Sequence, residues 1–226
     1  AIIGTIAGFL IGLIIAIIRT VPIKENDGGF KKALFKVINA ILSVYVEVIR
    51  GTPMMVQALI IYYSLFAPIG MNPMLSAIII ISVNTGAYMA EIVRGGIISV
   101  DKGQFEGAHA IGMSHFKTMF YVVLPQAIRN IMPSIGNEFV VNIKDSSVLS
   151  VISITELMFA AKQAGGAYAQ FVPSYVICAM IYFILTFTVT RILRVLEKKM
   201  DGDDSYVVCG SQTDFKSQIN AHMEGK

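Results

Sequence analysis

Between Gly51 and Ala90 the chain runs 40 residues without a single formal charge, and nothing else constrains its fold as much. At 1.5 Å per residue a helix needs about 20 apolar residues to cross a hydrocarbon layer of about 30 Å. Pro68, Gly70, Asn72 and Pro73 interrupt the run, and such residues end helices and make turns, so it reads as two spans joined by a short turn. Ala1 to Ile18 and Gln163 to Thr190 are charge-free too. Of the 226 residues 55% are hydrophobic and 15% charged, against about 25% charged in soluble domains. A fold in water could not bury that much apolar surface. The chain is therefore expected to be an all-α integral membrane protein.

The pattern predicts five transmembrane helices. The first covers Ala1 to Ile18, about 27 Å of helix; with no basic n-region and no small-residue cleavage site after it, it is expected to be a span, not a signal peptide. Its Gly4, Gly8 and Gly12 recur at i, i+4, i+8, a stripe that lets a second helix approach closely. Lys31 to Arg50 is amphipathic and is expected to run partly along the membrane surface. The second span then starts near Arg50-Gly51-Thr52-Pro53. The third runs from about Met74 to Ile98. The fourth, Arg129 to Ala161, is the most polar, with Glu138, Lys144, Asp145 and Glu156 inside it. Gly165-Gly166 and Pro173 are expected to mark the turn into the fifth.

Basic residues set the orientation, because cytoplasmic connections hold the excess of Lys and Arg. Lys24, Lys31, Lys32, Lys102, Lys117, Arg191, Arg194, Lys198 and Lys199 follow spans one, three and five. The connection between spans two and three has none, and the next has Lys162 alone. The N-terminus is expected outside and the C-terminus in the cytoplasm. Residues 1–200 form the transmembrane domain, and 201–226, with 2 basic and 5 acidic residues, a polar acidic tail expected to be disordered. Cys178 and Cys209 form no CxxC, and a buried free thiol suffices for Cys178.

Within the cytoplasmic connection 99–125 the sequence SVDKGQFEGAHAIGMSHFKTMFYVVLP predicts two short helices and a bend. Asp101 or Ser99 can cap the first, Gly112 tolerates a left-handed C′ position, Ser114 offers a second N-cap and Pro125 is expected to stop the second helix. An ordered polar helix–bend–helix between spans has the shape of a docking element.

Glu106-Gly107-Ala108, Gly112 four residues after Ala108, Val122 and Leu124-Pro125 resemble the EAA loop of ABC importer permeases. Gly107 stands where that pattern has Ala and Val122 where it has Ile. Glu91-Ile-Val-Arg94-Gly95-Gly96-Ile97, Leu124 to Arg129, Arg50-Gly51-Thr52-Pro53 and Lys144-Asp145-Ser146-Ser147 are similar to the polar amino-acid permease family, over about Leu34 to Lys199. The resemblance implies the type I ABC importer permease fold, a multi-pass protein of the prokaryotic cell membrane, and transport of polar, possibly basic, amino acids by alternating access. It implies a second permease subunit, identical or related, two cytoplasmic ABC ATPase subunits that bind ATP and Mg, and an extracytoplasmic amino-acid-binding protein. It assigns ATPase coupling to Gly103, Glu106, Gly107, Ala108 and Gly112, the small residues allowing close approach. A permease for another small solute, or a stand-alone ion-coupled carrier or channel, are the competing readings; the latter class often shows internal repeats, and none is evident here.

The residues themselves argue against catalysis. His109 and His115, six apart across Gly112, would not share a face of one helix and make no metal pair. No GxxxxGK[ST] loop occurs, so the chain lacks the usual phosphate cradle and needs no cofactor or nucleic acid of its own. Ionisable residues at membrane depth cost about 2.5–3.5 kcal/mol on insertion scales and normally face a cavity, a partner charge or the water boundary. Asn84, Tyr88 and Glu91 on the third span, and Glu138, Asn142 and Asp145 on the fourth, both recur at i, i+4, i+7. Two such stripes suit an aqueous pathway. With Lys144 they form the candidate substrate path, though interhelical hydrogen bonding would equally satisfy Asn84 and Tyr88. Glu91–Arg94 and Glu47–Arg50 are i, i+3 pairs near cytoplasmic ends, where mutual pairing suffices. The purified chain alone is expected to hydrolyse no ATP in a phosphate-release assay; turnover by the isolated chain would refute the need for a separate motor.

Overall fold

The computed structural model describes residues 1–21 and 28–201. Lys24 and, beyond Asp201, the expected acidic tail with Cys209 lie outside the described residues. The described chain is helical, with no strand: α1 (Ile2–Thr20), α2 (Gly29–Gly51), α3 (Met54–Ile61), α4 (Pro73–Ser99), α5 (Lys102–Ala110), α6 (His115–Thr118), α7 (Leu124–Asp145), α8 (Leu157–Tyr168) and α9 (Phe171–Asp201). Among the described residues α1, α4 and most of α9 are long and apolar enough to cross a membrane, and Met54–Phe66 is a shorter apolar helix.

The α1–α4 pair is the centre of the bundle. A Cβ on Gly8 would lie 2.6 Å from Thr85 Cβ, one on Gly12 would lie 2.5 Å from Met89 Cβ, and one on Gly4 would run into Ile81. Each step of four along α1 meets a step of four along α4, so the two helices run parallel and in register. Gly86 returns the contact, since a Cβ there would sit 2.8 Å from Ile11 Cγ2. The glycine stripe is a packing seam.

Two parallel helices require one return between them, and α2 and α3 make it end to end. Val46 and Ile49 of α2 pack with Ala87, Ala90 and Ile15; Ala58 of α3 packs with Ala77, Ile80 and Ile81. The return therefore runs antiparallel to α4, with its break at Thr52–Pro53 level with the helix middle. Arg50 sits at this depth, not at a cytoplasmic end as the sequence pattern had suggested. It does so because the second half of α2 is drawn into the bundle by Val46 and Ile49.

α7 runs antiparallel to α4: Thr85 meets Asn142 at one level, and Gly96 lies against Ala127 and Ile131 at the other. The expected fourth span, Arg129 to Ala161, is not one helix. α7 stops at Asp145, a 3₁₀ turn covers Ser146–Ile152, and Ser153 takes φ 63°. Ser146 turns its hydroxyl back to the Ile143 carbonyl at 2.7 Å, the local bonding by which serine competes with helix continuation. Glu156 then caps α8, accepting from the Met158 and Phe159 amides, so it lies outside the span to which the sequence assigned it. The next turn falls at Ala169, φ 51°. Gly165 and Gly166 lie within α8, where Gly165 lets Phe171 approach, and Pro173 falls in the first turn of α9.

Pro125 does not end a helix either. The chain passes from α6 through a π turn, Met119–Val123, directly into α7, with the Leu124 amide donating to the Met119 carbonyl. Proline strains an α-turn through its ring and its missing donor, and a wide turn just ahead of it removes that conflict.

The seam predicts opposite signs for two glycines. Gly12→Ala is expected to cost about 1–3 kcal/mol by overpacking, whereas Gly95→Ala, with nothing within 4 Å, is expected to gain about 0.5–1 kcal/mol. Thermal unfolding of the detergent-solubilised protein reads both.

Candidate functional site

Three polar nodes join the helices at mid-depth, and they divide the sequence-predicted pathway residues between them. In the first, Asn142 of α7 donates to Thr5 Oγ1 of α1 at 2.8 Å and accepts from Thr85 Oγ1 of α4 at 3.0 Å. Asn142 is 2% exposed and clamps three helices. In the second, Asn84 of α4 donates to Gln57 Oε1 of α3 at 2.9 Å, while Tyr45 of α2 donates to the Val83 carbonyl. Asn84 is likewise an interhelical contact.

The third node carries charge. Arg50 extends from the end of α2 so that its guanidinium carbon lies 5.6 Å from the Tyr88 ring centroid, within cation–π range. Glu138 of α7 is buried, within electrostatic reach of Arg50 and of Asp145 on its own helix. Arg50 and Tyr88 are in contact, and Glu138 and Asp145 of α7 lie within electrostatic reach of this pair or of each other, a polar region drawn from α2, α4 and α7. Arg50 is exposed, Tyr88 and Asp145 are half-buried and Glu138 is buried. Lys144 is exposed one residue from Asp145. Arg50 is a member that the sequence pattern did not bring forward, because nothing along α2 shows that Tyr88 stands opposite. Glu47 and Arg50 make no ion pair among the described residues.

Glu91 belongs elsewhere. It accepts from Arg19 of α1 at 2.6 Å and from Arg94 at 2.8 Å, an ion-pair network one helical turn towards the loop end of the α1–α4 pair. The i, i+3 pairing expected for Glu91 and Arg94 is formed, with Arg19 as an unforeseen third member.

The loop between α4 and α7 is built as its sequence suggests. Asp101 accepts from the Gly103 amide at 2.6 Å and Ser114 caps α6. Gly112, at φ 81°, closes α5: its amide donates to the His109 carbonyl at 2.9 Å and that of Met113 to the Ala108 carbonyl at 3.0 Å, the paired bonds of a Schellman motif. This bend stacks the His109 and His115 rings 6.4 Å apart. Glu106 and Gly107 are exposed, whereas Ala108 is buried. Ala108 therefore supports α5 from within, and Glu106, Gly107 and Ala110 present the outer surface beside Ile111 and Phe116, which are 79% and 67% exposed. Phe105 packs against a core of Val93, Ile97, Val100, Met119, Val123 and Leu124. The lever is thereby seated on both α4 and α7.

A separate groove of about 750 Å³ lies between α1, α4, α7 and α9, lined by Ile78, Ile81, Phe139, Ile143 and Leu185. Its one charged side chain, Glu156, is held by two amides and by Tyr182, which donates to it at 2.8 Å. That groove suits apolar contents.

Residues 28–202 match the family described as binding-protein-dependent transport system inner membrane component. The chain is 39% identical over 199 residues to the L-cystine transport system permease protein TcyB of Bacillus subtilis (strain 168), covering 87% of this chain and 82% of that one. It is 35% identical over 203 residues to the glutamine transport system permease protein GlnP of Escherichia coli (strain K12), covering 88% and 87%. It is also similar to a solved structure described as an amino acid ABC transporter with histidines, with a TM-score of 0.75 and 38% identity over 88% of this chain and 87% of that one.

Asn142→Leu would leave the buried Thr85 hydroxyl without its acceptor and is expected to destabilise the protein by about 1–3 kcal/mol. Lys144→Gln on the exposed neighbour should stay within about 0.5 kcal/mol. Equal unfolding midpoints for the two variants would exclude the clamp.

Proposed function

We propose, for a chain that belongs to the binding-protein-dependent transport system inner-membrane-component family, that it is the permease subunit of an ATP-driven importer of polar amino acids. The observation that carries the coupling half of this reading is the α5 lever, capped at both ends, exposed on its outer face and seated on α4 and α7 by Phe105. Such an element passes force because it cannot bend without breaking its caps.

In this reading the five passes of the bundle are five membrane crossings, with the start of α1 outside the cell and α5 in the cytoplasm. Two permease subunits, identical or related, line one pathway in the prokaryotic cell membrane. Two ABC ATPases bind ATP and Mg and seat their surface groove on Glu106, Gly107, Ala110 and Ile111, with Gly103, Ala108 and Gly112 keeping the lever's shape. A binding protein outside delivers the amino acid. The polar region of Arg50, Tyr88, Glu138 and Asp145, with Arg50 exposed, offers a cation for a carboxylate and carboxylates for an ammonium group, which is the charge pattern of a zwitterionic amino acid. A net excess of carboxylates there also suits a basic side chain. ATP-driven closure of the two levers would tilt α4 and α7 and expose this face to one side of the membrane, then the other.

The test is uptake into vesicles holding the permease, its ATPase and its binding protein, with radiolabelled cystine, glutamine, histidine and arginine offered in turn. Accumulation of at least one of them is expected to require ATP. Gly107→Trp, on the exposed face with open space around it, should leave the permease folded and weaken ATPase co-purification about tenfold, the effect of one disrupted contact worth ~1.4 kcal/mol. ATP-independent uptake, or full co-purification with Gly107→Trp, would count against the reading.

A further inference from the structure

The break between α2 and α3 raises a local problem. Thr52 and Pro53 are extended, at φ −124° and −64° with ψ 146° and 134°, so the last carbonyls of α2 lose their helical donors. Such groups are satisfied by water or by side chains. Two side chains do it. Thr52 Oγ1 donates back to the Val48 carbonyl at 2.7 Å. Gln57, 8% exposed, directs its amide nitrogen at the Ile49 carbonyl (2.7 Å), the Thr52 carbonyl (2.9 Å) and Thr52 Oγ1 (2.7 Å). Its oxygen accepts from Asn84 of α4. One amide therefore binds the end of α2, the start of α3 and the middle of α4.

The tether's location gives it a consequence. Arg50 lies next to Ile49, whose carbonyl Gln57 holds. Tyr88, under the Arg50 guanidinium, lies one turn along α4 from Asn84, to which Gln57 is tied. Both ends of the Arg50–Tyr88 contact are thus registered by the same amide. Arg50 is exposed and carries a long side chain that loses about 2 kcal/mol of rotamer freedom when fixed, so a free helix end would not keep it in place.

We infer that Gln57 is a positioning residue for transport: by bridging the α2–α3 break to Asn84 it holds Arg50 over Tyr88, where the guanidinium meets the carboxylate of the transported amino acid. The inference rests on the pathway reading above and goes beyond it, since Gln57 faces no solute itself.

A double-mutant cycle in the reconstituted complex separates the two. The quantity measured is uptake at saturating substrate and binding protein, divided by the same preparation's basal ATP hydrolysis. Gln57→Leu is expected to lower this ratio about three- to tenfold, and to lower it no further when Arg50→Ala is already present, because residues that act through one another are non-additive. A Gln57→Leu effect that multiplies with that of Arg50→Ala, or no effect at all, would overturn the positioning role. Normal uptake by Arg50→Ala would instead bring down the pathway reading. Gln57→Met, which keeps the unbranched shape of glutamine, and Thr52→Val, which replaces a single hydroxyl by a methyl, are carried through the same cycle, so that poor assembly of Gln57→Leu does not decide the outcome. Either must show the same loss, absent on the Arg50→Ala background.

Discussion

Close contact between α1 and α4 is the constraint on which the remaining architecture depends. In lipid, apolar side chains gain little by leaving the surrounding hydrocarbon, so helices associate through fit and through polar contacts. Gly4, Gly8 and Gly12 allow α1 to lie directly on the backbone of α4, with the Ala90 amide nitrogen 2.7 Å from where a Cβ of Gly12 would be. That approach brings Thr5 and Thr85 within reach of one asparagine, and Asn142 fixes α7 against the pair. It also carries Arg19 to Glu91 across the same seam. A parallel α1–α4 pair then leaves one option for the intervening chain, a return antiparallel to both. The short α3 can complete that return only because α2 supplies its first half.

How much of this was legible in the sequence depended on whether the signal was local. The caps of the loop were legible because Asp101, Gly112 and Ser114 act on amides and dihedrals within three residues of themselves. The glycine stripe was legible as a packing face, since its spacing matches the helix period. The polar stripes were legible as stripes but not as partners. Asn84, Tyr88 and Glu91 lie along one line of α4, yet each meets a different helix element: Gln57 of α3, Arg50 at the end of α2, and Arg19 of α1. Spacing along one helix says nothing about what stands opposite. Gln57 was missed for the same reason, lying in an uncharged run that looked uniformly apolar. The extent of the fourth and fifth spans was misjudged where serine bonding at Ser146 and glycine packing at Gly165 outweighed hydropathy.

The interruptions in the bundle show a common economy of atoms. At three of them a side chain supplies what the helix gave up. Thr52 and Gln57 serve the end of α2, Ser146 bonds back at the end of α7, and Glu156 supplies acceptors for two amides at the start of α8 while taking the Tyr182 hydroxyl. At the π turn before Pro125 the backbone instead absorbs the strain by widening. That difference matters mechanically. A break held by specific side chains keeps its angle, whereas a wide turn leaves α6 and α7 as one continuous rod running from the lever into the bundle.

α4 joins the two ends of the proposed mechanism in a single helix. Its loop-end residues Val93, Ile97 and Val100 share a core with Phe105 of the lever and with Val123 and Leu124 at the start of α7. Its middle residues Asn84 and Tyr88 carry the contacts to Gln57 and Arg50. Helix α4 between these levels is continuous α, without proline or a break, and α1 packs on one side of it. A displacement at Phe105 therefore cannot be absorbed by bending α4 alone; it must move α1 with it. What it can change is the relation of α4 to the α2–α3 return, which meets it through the Tyr45 and Gln57 hydrogen bonds and a modest apolar contact around Ala58 and Ala87. In the proposed mechanism any movement at the polar region falls at this boundary, within the limits that the Gln57 tether sets. A lever acting on a stiff α1–α4 pair would open or close the polar face there, and leave the Asn142 clamp undisturbed.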